Sequence, residues 1–129
     1  MSKEIFEAFE GQQAMLGYSQ AVRVGDSVYV SGTVGLGAAM MIPESLEDQM
    51  VLAYRNVAET LAHFGATMNN VVEQVVYVTD MAAASAAALG ARNAAFPPGN
   101  LPASTMVEVS ALALPQLKVE IRVTARLDI

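Results

Sequence analysis

The stretch from Val119 to Leu127, VEIRVTARL, limits the possible folds of this chain more than any other. Val119, Ile121, Val123, Ala125 and Leu127 alternate with Glu120, Arg122, Thr124 and Arg126. Successive side chains on a strand point to opposite faces, so this alternation predicts a strand with one buried face and one charged face. Such a strand needs neighbours in a sheet and a layer over its apolar side. Upstream, Ser104 to Val109 is a second β-type run rich in Thr and Val. Between the two, Pro115 marks SALALPQL as a loop, because proline has no N–H to give to a ladder.

The rest of the chain supplies both sheet and cover. Residues 1 to 17 show little periodicity. From Tyr18, YSQAVRVGDSVYVSGTVG predicts two strands, Ala21 to Val24 and Ser27 to Ser31, around a Gly25-Asp26 turn. The second ends in SGTVG, a glycine-rich exit that lacks the GxxxxGK[ST] pattern of a phosphate loop. A helix follows, with Ser45 as N-cap and Glu47 and Asp48 in its first turn. Leu46, Met50, Ala53, Val57, Leu61 and Phe64 form its apolar stripe, and Gly65 ends it. His63, in the last turn, is assigned a structural or solvent role. Asn70 to Thr79 is a Val-rich strand. Thr79 or Asp80 can cap a second helix, Met81 to about Phe96, made mostly of alanine and closed by Pro97-Pro98-Gly99. The order β-β-α-β-α-β-β describes one α+β domain over residues 1–129, with two helices on one face of one sheet.

Composition narrows the function. Cysteine is absent, which removes disulfides and thiolate chemistry, and one histidine cannot make a typical zinc site. The net charge of −6 argues against a broad nucleic-acid surface and favours a small-molecule ligand. Hydrophobic residues reach 53% and charged ones only 16%, an apolar excess that self-association would bury. No apolar run approaches the roughly 20 residues needed to span a bilayer. The start, MSKEIFEAFEG, has charges where a signal peptide has its apolar core, so a cytoplasmic location is expected.

Several stretches resemble the YjgF/RidA family of reactive-intermediate deaminases: Tyr18-Ser19-Gln20-Ala21, Val28 to Gly32, Asn56 with the helix ending at Gly65, Val71 to Met81, Phe96, Pro102-Ala103, Val107-Glu108-Val109, and Lys118 to Ala125. The P-A-x-[ST]-x-V-E-V run followed by K-V-E-I is the most specific of these. The resemblance implies a chorismate-mutase-like fold, a homotrimer whose three sheets pack into a barrel, and a ligand cleft at each subunit interface. It also implies hydrolysis of imines and enamines released by pyridoxal-phosphate enzymes, with no metal or cofactor of the protein's own. Under it, Glu120 matches the glutamate that holds the attacking water. Tyr18 matches an aromatic cleft residue, and Ser31-Gly32 match the backbone floor.

Two positions depart from that pattern. The family's substrate-clamping arginine is replaced by Ser104, followed by Thr105 near the expected cleft mouth, and an asparagine seven residues before Phe96 is replaced by Leu89. A serine carries no charge, so simple keto-acid imines lose their main anchor. Arg122, two residues from Glu120 on the same strand face, either pairs with Glu120 or another surface acid, or approaches the ligand as a substitute clamp. Two readings result: a deaminase acting on a different C–N substrate through Glu120, and a non-catalytic protein that binds a small metabolite in the same cleft.

Overall fold

In the computed structural model, which describes residues 2–129, the Val119 strand lies at the centre of the sheet. The strands are β1 (Lys3–Phe6), β2 (Ala21–Val24), β3 (Ser27–Val34), β4 (Val71–Val78), β5 (Ala103–Glu108) and β6 (Val119–Arg126). Their spatial order is β1-β2-β3-β6-β4-β5. β6 is antiparallel to both β3 and β4, and only β4 and β5 are parallel. The two C-terminal strands are therefore separated by β4 rather than forming a hairpin. A parallel pair needs a long crossover, which the second long helix supplies between β4 and β5.

The helices are α1 (Gln12–Leu16), α2 (Leu46–His63) and α3 (Met81–Ala95). Ser45 Oγ accepts from the Asp48 N–H at 3.1 Å and caps α2. Gly65, at φ +73°, ends it, with the Ala66 N–H reaching back to the Leu61 carbonyl at 3.0 Å. Asp80, rather than Thr79, caps α3 by accepting from the Ala83 N–H. α2 and α3 pack side by side over the face that carries Val28, Val30, Val76, Val78, Val119, Ile121 and Val123. Each fully buried Val or Ile contributes about 1.5–3 kcal/mol of transfer free energy. Ala84, Ala88 and Ala91 form the buried stripe of α3, shallow enough for close helix packing.

Two stretches differ from the sequence expectation. β1 and the single-turn α1 occupy the stretch without periodicity, and β3 runs on through Gly32 to Val34. His63 is a structural residue, as assigned: its ring stacks on Phe6 of β1 with centroids 4.2 Å apart, and Nε2 lies 3.9 Å from Glu4 Oε2. The opposite sheet face, with Tyr29, Val75, Tyr77, Val107, Glu120 and Arg122, has no helix over it among the described residues.

Candidate active site

β3 lengthens by one residue against β6 between Val30 and Thr33, forming a bulge at Ser31-Gly32. The bulge sets Gly32 directly against Glu120. A Cβ added at Gly32 would overlap Glu120 Oε2 and lie 2.7 Å from Cδ, so only glycine lets the carboxylate rest there. Glu120 is half-buried, and burial raises its pKa above the ordinary glutamate range. Among the described residues, its side chain accepts no hydrogen bond and forms no salt bridge. The expected pair with Arg122 does not form: Arg122 is exposed on the open face, and the two ion pairs of the described residues are His63–Glu4 and Arg126–Asp128.

The N-terminal segment is tied to this bulge by amide and hydroxyl side chains. Ser31 Oγ donates to the Ser19 carbonyl at 2.6 Å, and the Ser31 N–H to the Gln20 carbonyl at 2.8 Å. Gln12 Nε2 donates to Gln20 Oε1, and Gln20 Nε2 to Thr33 Oγ1. Thr33 Oγ1 in turn donates to the Ser31 carbonyl. Asn56 Nδ2 holds the strand exit by donating to the carbonyls of Val34 and Leu36. The result is a hollow of about 460 Å³ lined by Phe6, Phe9, Leu16, Tyr18, Gly32 and Val34, among others. Among the described residues, Glu59 is the one charged side chain in its lining. A neighbouring hollow of about 580 Å³, bounded by Met41, Pro43, Leu52 and Arg55, contains none of the expected site residues.

Tyr18 and Gly32 line the first hollow, Ser31 is tied to the Ser19 carbonyl beside it, and Glu120 borders it through Gly32 without being part of its lining. Ser104 and Thr105 do not join them. They lie on β5, two strands from β6, or about 10 Å at ordinary strand spacing. Ser104 pairs in register with Gln74 and points to the helix-covered face, opposite Glu120. Thr105 points to the open face, in the row of Val75 and Arg122. Leu89 projects from α3 at 62% exposure. The buried Gln74 had no assigned role in the sequence, because an isolated amide within a Val-rich strand has no diagnostic pattern. Among the described residues, no group of three or more His, Asp or Glu side chains is placed to hold a metal.

The family model described as endoribonuclease L-PSP matches residues 10–127. The chain belongs to this family, which is the YjgF/RidA family. Reactive Intermediate Deaminase A, chloroplastic, of Arabidopsis thaliana is 30% identical over 98% of this chain and 67% of that protein. The 2-iminobutanoate/2-iminopropanoate deaminase of Mus musculus is 32% identical over 61% of this chain and 60% of its own length. A crystal structure of a YjgF-family protein from Mycobacterium tuberculosis superposes with a TM-score of 0.84 at 34% identity, covering 97% of this chain and 99% of that one. The fold is therefore the chorismate-mutase-like α+β fold of this family. No helix of the described residues is long and apolar enough to cross a membrane.

Proposed function

We propose that the protein is an imine or enamine deaminase that works as a homotrimer, with Glu120 holding and deprotonating the attacking water. The carrying observation is the Glu120 carboxylate itself. It is raised in pKa by burial, has no partner among the described residues, and lies on Gly32. A carboxylate with those properties can orient water and exchange a proton without being neutralised by a cation. The deaminase names of similar proteins support the reaction class. Water oxygen adds to the imine carbon, its proton passing to Glu120. The proton is returned to nitrogen, the C–N bond breaks, and one carbonyl compound and one ammonia leave for each imine and water consumed. Tyr18 and Gly32 line the hollow, and Ser31 forms the bulge beside it. Ser104 and Thr105 reach this site from a neighbouring copy, since their own chain holds them apart from Glu120. Arg122 lies on the open face, outside the lining of the hollow.

The test is ammonia release from freshly generated imines with wild type and Glu120→Gln. One imine would be 2-iminobutanoate, formed from threonine by a pyridoxal-phosphate dehydratase, and the others neutral aldimines formed by an amine oxidase. Acceleration by wild type that is lost in Glu120→Gln is the expected result. Saturable binding without acceleration of any imine would instead identify a metabolite-binding protein.

A further inference from the structure

Ser104 is exposed at the sheet edge, yet its hydroxyl is fixed from the interior. Tyr54, only 4% exposed, donates its phenol proton to Gln74 Oε1 at 2.8 Å, and Gln74 Nε2 donates to Ser104 Oγ at 3.1 Å. The polarity of this chain is set at its buried end. Burial pushes the Tyr54 phenol up to about 12, so it keeps its proton at neutral pH. That proton has one acceptor among the described side chains, the Gln74 carbonyl. Turning the amide over would strand the proton in the core, at a cost of about 1–3 kcal/mol. The Gln74 carbonyl therefore faces Tyr54 and its amide N–H faces Ser104. Ser104 Oγ accepts from the interior, and its own proton, with no acceptor among the described residues, is free to be donated outward.

A second observation concerns charge. The hollow beside Tyr18 and Gly32, which Glu120 borders through Gly32, has no Lys, Arg or His lining it among the described residues, and the whole chain carries a net charge of −6. A carboxylate brought there loses water without gaining a cation. Arg122 does not line this hollow. A neutral carbonyl loses much less water and is satisfied by a single donor.

We propose that Ser104, held as an outward hydrogen-bond donor by Gln74 and Tyr54, selects imines bearing a neutral acceptor, such as an amide or ester carbonyl, over 2-imino acids. This rests on the deaminase reading, with Ser104 of one copy facing Glu120 of another. Ser104 is then a specificity-determining residue, and Gln74 and Tyr54 are positioning residues that act through it.

A matched pair of imines tests the selection. N-chloro-leucinamide loses HCl in base to give the amide imine, and a flavin L-amino-acid oxidase with O2 and catalase gives the acid imine from leucine, so the two imines differ only in amide against carboxylate. After removal of residual oxidant, ammonia release from each is followed with the full-length protein. Wild type is expected to prefer the amide imine at least about tenfold in kcat/KM. Ser104→Ala should lower that preference about threefold to tenfold, the loss of one ordinary hydrogen bond. Tyr54→Phe should lower it as well, because Gln74 can then turn and accept the Ser104 proton. A merely structural effect of Tyr54→Phe would slow both imines equally and leave the ratio unchanged, which would overturn the positioning role. Ser104→Arg should reverse the ratio. Preference of wild type for the acid imine would overturn the selection while leaving the deaminase reading intact. Failure to hydrolyse either imine would overturn both.

Discussion

Gly32 and Glu120 form one unit, because the missing Cβ of the first makes room for the carboxylate of the second. Gly32→Ala should displace the flexible Glu120 side chain more readily than it unfolds the sheet. Imine hydrolysis should fall about 100-fold or more, in line with the sensitivity of catalysis to small misplacements, while the melting temperature changes little. Titration of Glu120 gives a second check. Burial raises its folded-state pKa above the unfolded value, so folding favours the protonated form. That contribution is present below the unfolded value and is lost as pH rises through the folded one. Glu120→Gln should therefore melt no lower than wild type at pH 7 and lose relative stability at pH 4. The hydrolysis rate of wild type should rise with pH through an apparent pKa above the ordinary glutamate value, and this limb should be absent from Glu120→Gln.

Among the elements, contact with α2 decides which glycines tolerate a methyl group. At Gly35 an added Cβ would lie 2.5 Å from the Gln49 carbonyl oxygen and 2.8 Å from its Cα, against helix backbone that cannot rotate aside. Gly35→Ala should destabilise by about 1–3 kcal/mol through overpacking. Gly90, inside α3, meets nothing within 4 Å, so Gly90→Ala should stabilise by about 0.5–1 kcal/mol. Urea titration of the two variants should move the midpoint in opposite directions. The same elements show what the sequence makes legible. α2, β4, α3 and β6 carry long apolar patterns, and their bounds lie within a residue or so of the expectation. β1 has four residues and mainly Phe6 to pack inward, and α1 meets the core through the amide of Gln12 rather than an apolar stripe. A reading based on hydrophobic period has nothing to find there. Gln49, with bonds to the Pro43 and Gln116 carbonyls and the Lys118 N–H, is invisible for the same reason. The Glu120 group was legible because the resemblance aligned it. The Tyr54–Gln74–Ser104 chain was not, since it joins three elements through partners distant in sequence.

At the scale of the molecule, the sheet has one face under α2 and α3 and one face with no layer of its own. That open face carries Tyr29 at 52% exposure and Val107 at 39%, with Val75 and Tyr77 half-buried between them. An apolar sheet face of this kind favours coverage by another sheet. The proposed trimer supplies that cover and also accounts for the placement of the site. Ser104 and Glu120 face opposite sides of one sheet, so no rotation of side chains within a chain can bring them to one ligand. Assembly and activity should therefore be lost together. Light scattering should give wild type a mass three times that of the 13.6 kDa chain. Val107→Glu, which sets an unpartnered charge on the open face away from the hollow, should shift the mass toward the single chain and abolish imine hydrolysis. Mixing Glu120→Gln with Ser104→Ala after reversible dissociation provides the complementary measurement. If each site takes Glu120 from one copy and Ser104 from the next, mixed assemblies contain some interfaces with both residues intact. Such mixtures should exceed the sum of the two parents in amide-imine activity and regain part of the wild-type selectivity. Recovery no greater than the sum of the two parents would place both residues in a site made by a single chain, which the register of β4, β5 and β6 does not allow.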